Sequence, residues 1–557
     1  MFLIVASTLA LLAAAPRPAP ARSEPADSTR FPNADALRHY AQGRLLEERG
    51  DSDGALEQYY RALVSDPHSG PTARHVSELA ARARDPIRSM EFARRAIAAD
   101  PRDARARWLE GVARFEQGDK EGALASLQIA VQIDSSSVEI LQTLAHVAQE
   151  SGHYDVQERA LRRLVALNDD DPEAWFQLAA LCARRGRFGE ADSVLGVATQ
   201  LNPDRPGADF LHGWISESLG RDSIAVEAYR RHLAAHHSDQ ATRRRMVTLL
   251  ARLQRFPEAY REAKLVSRAN QSDADALLVE AELAFNAGAA EDGRALVARL
   301  ERERAEDIPL LSRLIALEAR EGRTQDGIVI ADRWAAAHPR DYRGPLLQSR
   351  AALLAGQNAP ALARAQAANA LAPDSLETVE LLGRVYHSQK RWREAESLWT
   401  AAALRFPDAT DIPLQIAYCR EQRGDIDGAV RLAREVLRRE PDDAEALNSL
   451  GYMLADHNRD LREAERLIAR ALEQQPDNGA FLDSMGWVHF RLGRLPEARA
   501  ELERAVSLTG GDAEVCEHLG DVYKELKLND LARQLYRRSL QRDNSNARVR
   551  AKLEQGR

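Results

Sequence analysis

At 557 residues the chain exceeds the roughly 50–250 residues over which a single hydrophobic core is usually built, so it is either several domains or an array of repeats. Hydrophobic residues make up 44% and aromatics 6%, with Ala, Leu, Glu and Arg prominent, all good helix formers. A formal net charge of -8, with acids and arginines interleaved along the chain, excludes a surface built to neutralise nucleic-acid phosphates.

In chain order, the first element is a short apolar run over Met1 to Ala15, followed by small residues and prolines in which Ala19-Pro20-Ala21 offers a cleavage motif. A signal peptide is therefore expected over residues 1–21, although no Lys or Arg precedes the run, and a disordered linker over 22–35. The run is shorter than the roughly 20 residues that span a bilayer, and no later segment is apolar enough to do so. A periplasmic or secreted chain is the expectation and a cytoplasmic one the alternative. Cys182, Cys419 and Cys516 lie far apart with no CxxC among them, and each is expected to be a buried packing residue.

From Ala36 onward the chain repeats itself. Small residues recur at intervals of 34 at Ala55, Ser89, Ala123, Ala191, Ala225, Ala259, Gly293, Gly327, Ala361, Ala395 and Ala429, with Gln157 the one break. Twelve residues before this site or its equivalent stand Gly43, Gly111, Gly213, Gly383 and Gly451 or, in other repeats, Ser or Ala, which marks a close crossing of two helices. Prolines such as Pro67, Pro101, Pro203 and Pro441 close the repeats, because a missing N–H and a fixed φ end a helix. One residue is inserted near Asp460, after which Ala464, Pro476, Ala498 and Ala532 resume the pattern. Each helix spans about 12–14 residues, too short to persist alone in water, so stacking must stabilise it. Tyr59, Leu127, Leu195, Tyr229, Trp399, Leu502 and Tyr536 are expected to supply that packing between repeats.

A helix-turn-helix period of 34 with these residue types resembles the tetratricopeptide repeat. The resemblance covers Ala36 to about Asp543. It implies an all-α fold, a right-handed superhelical solenoid of about fifteen units: units 1–6 over 36–239, degenerate units 7–9 over 240–341, and units 10–15 over 342–543. The degenerate units put Val247 and Ile315 at the glycine position and Trp334 at a usually small one, where altered helix packing or a change of curvature is expected. A capping helix is expected over 544–557, with Val549 and Leu553 at helical spacing.

No HExxH, GxSxG, P-loop or dinucleotide fingerprint is found, so no catalytic residues, cofactor or metal are expected and the chain reads as a non-enzyme. The acids Asp169 to Asp171 and Asp442-Asp443 fall between repeats and read as turn residues, and His236-His237 also lies at a repeat boundary. In tetratricopeptide arrays the first helix of each unit lines a concave groove, which by resemblance places Tyr418, Asn448, Tyr452, Asp483, Ser484, Trp487, Phe490, His518 and Asp521 at the partner-binding face. Aromatics dominate binding hot spots, so Tyr452, Trp487 and Phe490 are candidate anchors, with packing between first helices as the competing role. The segment Leu447 to Leu540, reading LNSLGYMLADHNRD at its start, resembles bacterial envelope tetratricopeptide adaptors of carboxyl-terminal processing proteases. Those adaptors carry a lipidated cysteine after the signal, whereas the first cysteine here is Cys182, so no lipid anchor is evident. The resemblance implies an envelope scaffold or adaptor whose partner is a protein, a protease among the candidates. The alternatives are a scaffold for polysaccharide export or outer-membrane assembly, and a cytoplasmic peptide-binding co-chaperone. The co-chaperone reading would require Lys and Asn at inward positions where Asn448, Asp483 and Glu517 stand.

Overall fold

A computed structural model describes residues 33–544 and 546–555. The expected signal peptide over 1–21 and most of the linker lie outside the described residues. The first helix, Ala34–Glu48, begins inside the stretch expected as linker, and Asn33 caps it, its side chain accepting from the Asp35 N–H. Among the described residues there are 31 α-helices and no strand. Thirty of them pair into fifteen helical hairpins, numbered here as repeats 1 to 15. The last helix, Ala547–Gln555, follows repeat 15, with Val549 buried and Leu553 packed beside Tyr536 and Tyr523. No helix among the described residues is long and apolar enough to cross a membrane.

Two local devices recur along the hairpins. Asp residues such as Asp51, Asp119 and Asp425 accept from a backbone N–H three residues on and so satisfy a helix N-terminus. At the turn between the two helices the backbone takes a positive φ at Gly50, Gly118, Gly152 and so on to Gly424, at multiples of 34, and again at Gly493, one residue later because of the insertion near Asp460. Glycine adopts that conformation without penalty. In five repeats the same left-handed turn is held by Arg84, Gln254, Lys390, Asn458 and Lys527. Asp460 adds one more positive φ, at 40°, where the extra residue enters repeat 13.

The chain divides into two compact parts, Met1–Glu262 and Ala263–Arg557. In the first, a continuous core runs through Leu127, Leu141, Leu161, Leu178 and Leu195. In the second, one core surrounds Leu311, Leu314 and Trp334 and another surrounds Leu450, Ile468 and Trp487. The large second-helix residues lie over the glycine of their own repeat rather than only between repeats: a Cβ on Gly111 would stand 2.7 Å from Leu127 Cγ, and one on Gly520 would stand 2.6 Å from the Tyr536 ring. Tyr59 serves both purposes, since its ring also stacks on His75 of repeat 2 at 5.4 Å. Gly111→Val is therefore expected to cost about 3 kcal/mol, the upper end for overpacking a tight core, read as a lower urea midpoint.

Repeat 9 solves the same crossing with the volumes exchanged. Ile315 fills the glycine position at 1% exposure, and Ala331 stands where other repeats carry Tyr, Leu or Trp. Trp334 turns along the helix to stack on His338 at 4.1 Å. The divergent sequence thus keeps the hairpin format.

Candidate functional site

The first helices of repeats 12, 13, 14 and 15 are Ile412–Gln422, Ala444–Asp456, Gly479–Arg491 and Ala513–Glu525. Residues three and four apart share a helix face. That spacing brings Tyr418 with Glu421, Asn448 with Tyr452 and Asp456, and Ala480 with Asp483 and Ser484 to one cleft of about 700 Å³, which Glu514 and Arg548 complete. Tyr418 is 42% exposed and stands edge-on to Trp392 at 5.7 Å. The Tyr452 hydroxyl reaches past repeat 14 to donate to Glu514 at 2.7 Å. Asn448 carries a buried Oδ1 with no hydrogen-bond partner.

The cleft is acidic. Burial raises the Glu421 carboxyl above the usual range; the His457 Nε2 at 2.9 Å opposes the shift, while the charges of Asp456 and Glu514 add to it. Over most of the chain acids are matched by arginines, as in Arg185 with Asp155 and Glu158. Among the described residues no Arg or Lys forms an ion pair with Asp456 or Glu514, whose partners are the Trp487 indole N–H and the Tyr452 hydroxyl. The Arg548 guanidinium is bound to Glu517 at 2.7 Å.

Of the nine expected groove residues, Tyr418, Asn448, Tyr452, Asp483 and Ser484 line the cleft. Trp487 does not: it is 8% exposed, stacked between His518 at 4.2 Å and Phe490 at 5.0 Å, so it is a packing residue and not an exposed anchor. Phe490 belongs to the same core. His518 is buried and its Nδ1 faces both Asp483 oxygens at 3.0 and 3.1 Å. Asp521 is held by the Tyr536 hydroxyl and by Lys552 of the last helix. Sequence reasoning missed His387, Glu421, Asp456, Glu514 and Arg548. Glu421 and Asp456 follow Tyr418 and Tyr452 by three and four residues and were within reach of the helical period.

The family model for the tetratricopeptide repeat matches residues 78–138, 143–195, 414–479, 457–513 and 484–547. The hairpins within these segments match the tetratricopeptide repeat. The TPR repeat-containing protein PA4667 of Pseudomonas aeruginosa is 27% identical over 205 residues, which is 36% of this chain and 34% of that relative, so the match spans about a third of its length. Among solved structures, the Cut9-Hcn1 complex of the APC/C is similar over 94% of this chain and 96% of that one, at 15% identity and a TM-score of 0.37. The Naa15/Naa10 structure bound to HypK-THB is similar over 93% and 96%, at 13% identity and a TM-score of 0.38.

Elsewhere among the described residues the chemically suggestive groups serve the repeats. Cys182, Cys419 and Cys516 are free and buried, and burial raises all three thiols, Cys419 to about 11. Asp171 and Asp443 cap the first helices of repeats 5 and 13, and Asp442 pairs with Arg470 at 2.6 Å. Glu47, His75 and Glu78 come close enough to share a cation. The Arg44 guanidinium, however, donates to His75 Nε2 at 3.0 Å, which puts the ring hydrogen on Nδ1, the atom facing both carboxylates at 3.4 Å. A protonated nitrogen offers no lone pair, so these residues do not suit a metal.

Proposed function

We propose that this chain is a non-enzymatic scaffold of the bacterial cell envelope that holds a segment of a protein partner in the cleft of repeats 12–15. The observation that carries this reading is the cleft itself: an exposed Tyr418, an unsatisfied Asn448 Oδ1 and two carboxylates, Asp456 and Glu514, without a basic partner. Each of these requirements is met by a peptide bearing a Lys or Arg, whose backbone supplies the missing N–H and whose cation meets the carboxylates and the tyrosine ring. The adaptor role, with a carboxyl-terminal processing protease and its substrate as partners, rests on the likeness of Leu447 to Leu540 to adaptors of that class and on the apolar run at Met1 to Ala15. Any chemistry then belongs to the partner. A clamp for carboxylate-terminated peptides is disfavoured, because Asp456, Asp483 and Glu514 would repel such a terminus.

The test replaces Tyr418 by the photo-crosslinker p-benzoylphenylalanine in the full chain and irradiates envelope extract of the native source. The expected result is one dominant adduct, to a protease or its substrate at a Lys- or Arg-bearing segment. Adducts only to polysaccharide-export components or cytoplasmic chaperones would overturn the reading. In the isolated complex, Asp456→Lys with Glu514→Lys is expected to weaken binding about tenfold and to flatten its salt dependence, with helicity by circular dichroism unchanged.

A further inference from the structure

Repeat 15 departs from the two repeats before it at two places, and both departures add positive charge. In repeats 13 and 14 an arginine of the second helix reaches back to the loop before its own first helix. Arg470 donates to the Pro441 carbonyl at 2.7 Å and pairs with Asp442 at 2.6 Å, and Arg504 reaches the Pro476 carbonyl and Asp477, both at 3.4 Å. Arg538 makes the same bond in repeat 15, to the Gly510 carbonyl at 3.1 Å, but Gly511 stands in the place of the aspartate. A Cβ on Gly511 would run into the Arg538 guanidinium, so the missing side chain is what seats it. Four residues on, where repeats 13 and 14 carry Gln474 and Leu508, repeat 15 carries Arg542, which donates to the same Gly510 carbonyl at 3.2 Å.

Two exposed guanidiniums therefore converge on one carbonyl. Among the described residues neither Arg538 nor Arg542 forms an ion pair, whereas Asp512 beside them caps the helix Ala513–Glu525. A guanidinium carries five N–H donors, so one carbonyl bond each leaves most of them open to an oxyanion. Arg550 is likewise met by a carbonyl, that of Asn544 at 2.6 Å. The setting narrows the anion. The arginines stand on an exposed edge, and Leu508, which ends the helix leading into Gly510, is 50% exposed. Arginines beside an open apolar side chain suit the boundary between headgroups and acyl chains. Residues 524–557 carry ten Lys and Arg against four Asp and Glu in a chain of net charge -8, so the attraction is confined to this end. A long polyanion such as nucleic acid would meet acid-rich surface beyond it. We infer that Arg538 and Arg542 bind the phosphate of an anionic lipid headgroup and so set repeat 15 against a membrane surface. The inference does not depend on what occupies the cleft of repeats 12–15.

Arg542→Gln restores the residue type of repeat 13, and Arg538 lies exposed, so the doubly substituted Arg538→Gln/Arg542→Gln chain is expected to keep parental helicity and melting temperature. Co-sedimentation of the full chain is measured with vesicles of phosphatidylcholine alone and of phosphatidylcholine mixed with phosphatidylglycerol. The parent is expected to bind the mixed vesicles alone, less tightly as salt is raised, and the double variant about tenfold or more weakly than the parent. Arg61→Gln/Arg95→Gln removes the same charge from ion pairs with Glu57 and Glu91 in repeats 1 and 2 and is expected to bind as the parent does. Equal losses in the two double variants, or equal binding to both kinds of vesicle, would overturn the inference. So would binding of glycerol phosphate or of a single-stranded oligonucleotide that depends on Arg538 and Arg542 while the vesicles stay unbound.

Discussion

Replacing Trp487 by alanine is expected to destabilise the C-terminal repeats by about 3–5 kcal/mol, the range for deleting a buried aromatic ring. The indole lies stacked between His518 of repeat 15 and Phe490 of its own helix, and its N–H donates to Asp456 of repeat 13 at 3.3 Å. One side chain thus joins three successive repeats. Repeats contact mainly their neighbours, so the damage should stay local. Hydrogen-exchange mass spectrometry on the full chain should show faster exchange in repeats 13–15 and parental exchange in repeats 1–6. Tyr452→Phe is the informative contrast, since it removes only the hydroxyl that donates to Glu514 and is expected to cost about 0.5–1.5 kcal/mol. Parental protection in the Trp487→Ala chain would overturn the assignment of that ring to packing between repeats.

A loss of similar size, about 3–5 kcal/mol, is expected for His518→Leu, because it leaves the Asp483 carboxylate buried without its partner. Leucine at both positions should recover most of the loss, as two apolar groups of similar shape replace the pair. The parent pair also makes a pH signature. Burial alone would strip the proton from His518, but the Asp483 charge and hydrogen bond, with Glu514 and Asp521 behind them, outweigh it and raise the imidazole above its ordinary value. A histidine raised in the folded state contributes fully below its unfolded pKa of about 6.5, and the contribution fades as pH climbs through the folded value. Denaturant midpoints of the C-terminal repeats should therefore fall as pH rises above about 6.5 in the parent and stay nearly flat in the doubly substituted chain. His387 does not confuse that window: burial holds its pKa down, so its contribution is lost only on acidification below about 6.5. A parent midpoint that rises toward pH 9 would refute the assignment of a charged pair.

The array itself was legible in the linear sequence because its requirements are local. Two helices that cross closely need a small residue at a fixed place, as at Gly111 against Leu127, and prolines and capping aspartates punctuate many of the hairpins. The left-handed turn was half visible: glycine marks it from Gly50 to Gly493, but Arg84 and Lys390 hold the same φ with no signature of their own. The candidate site was legible only in outline. Helical spacing brought Tyr418, Asn448 and Tyr452 to one face, yet the same spacing put Trp487 beside them, and nothing in its own repeat states that His518, a repeat later, lies 4.2 Å over its ring. The bond from Tyr452 to Glu514 joins residues two repeats apart, and Arg548 arrives from the last helix. By itself the sequence determined the period, the helix ends and the face each residue occupies, since these depend on neighbours within one turn of chain. Tertiary structure alone decided which of those faces stays open, because burial depends on how closely successive first helices approach, and that distance is set by side chains contributed from different repeats.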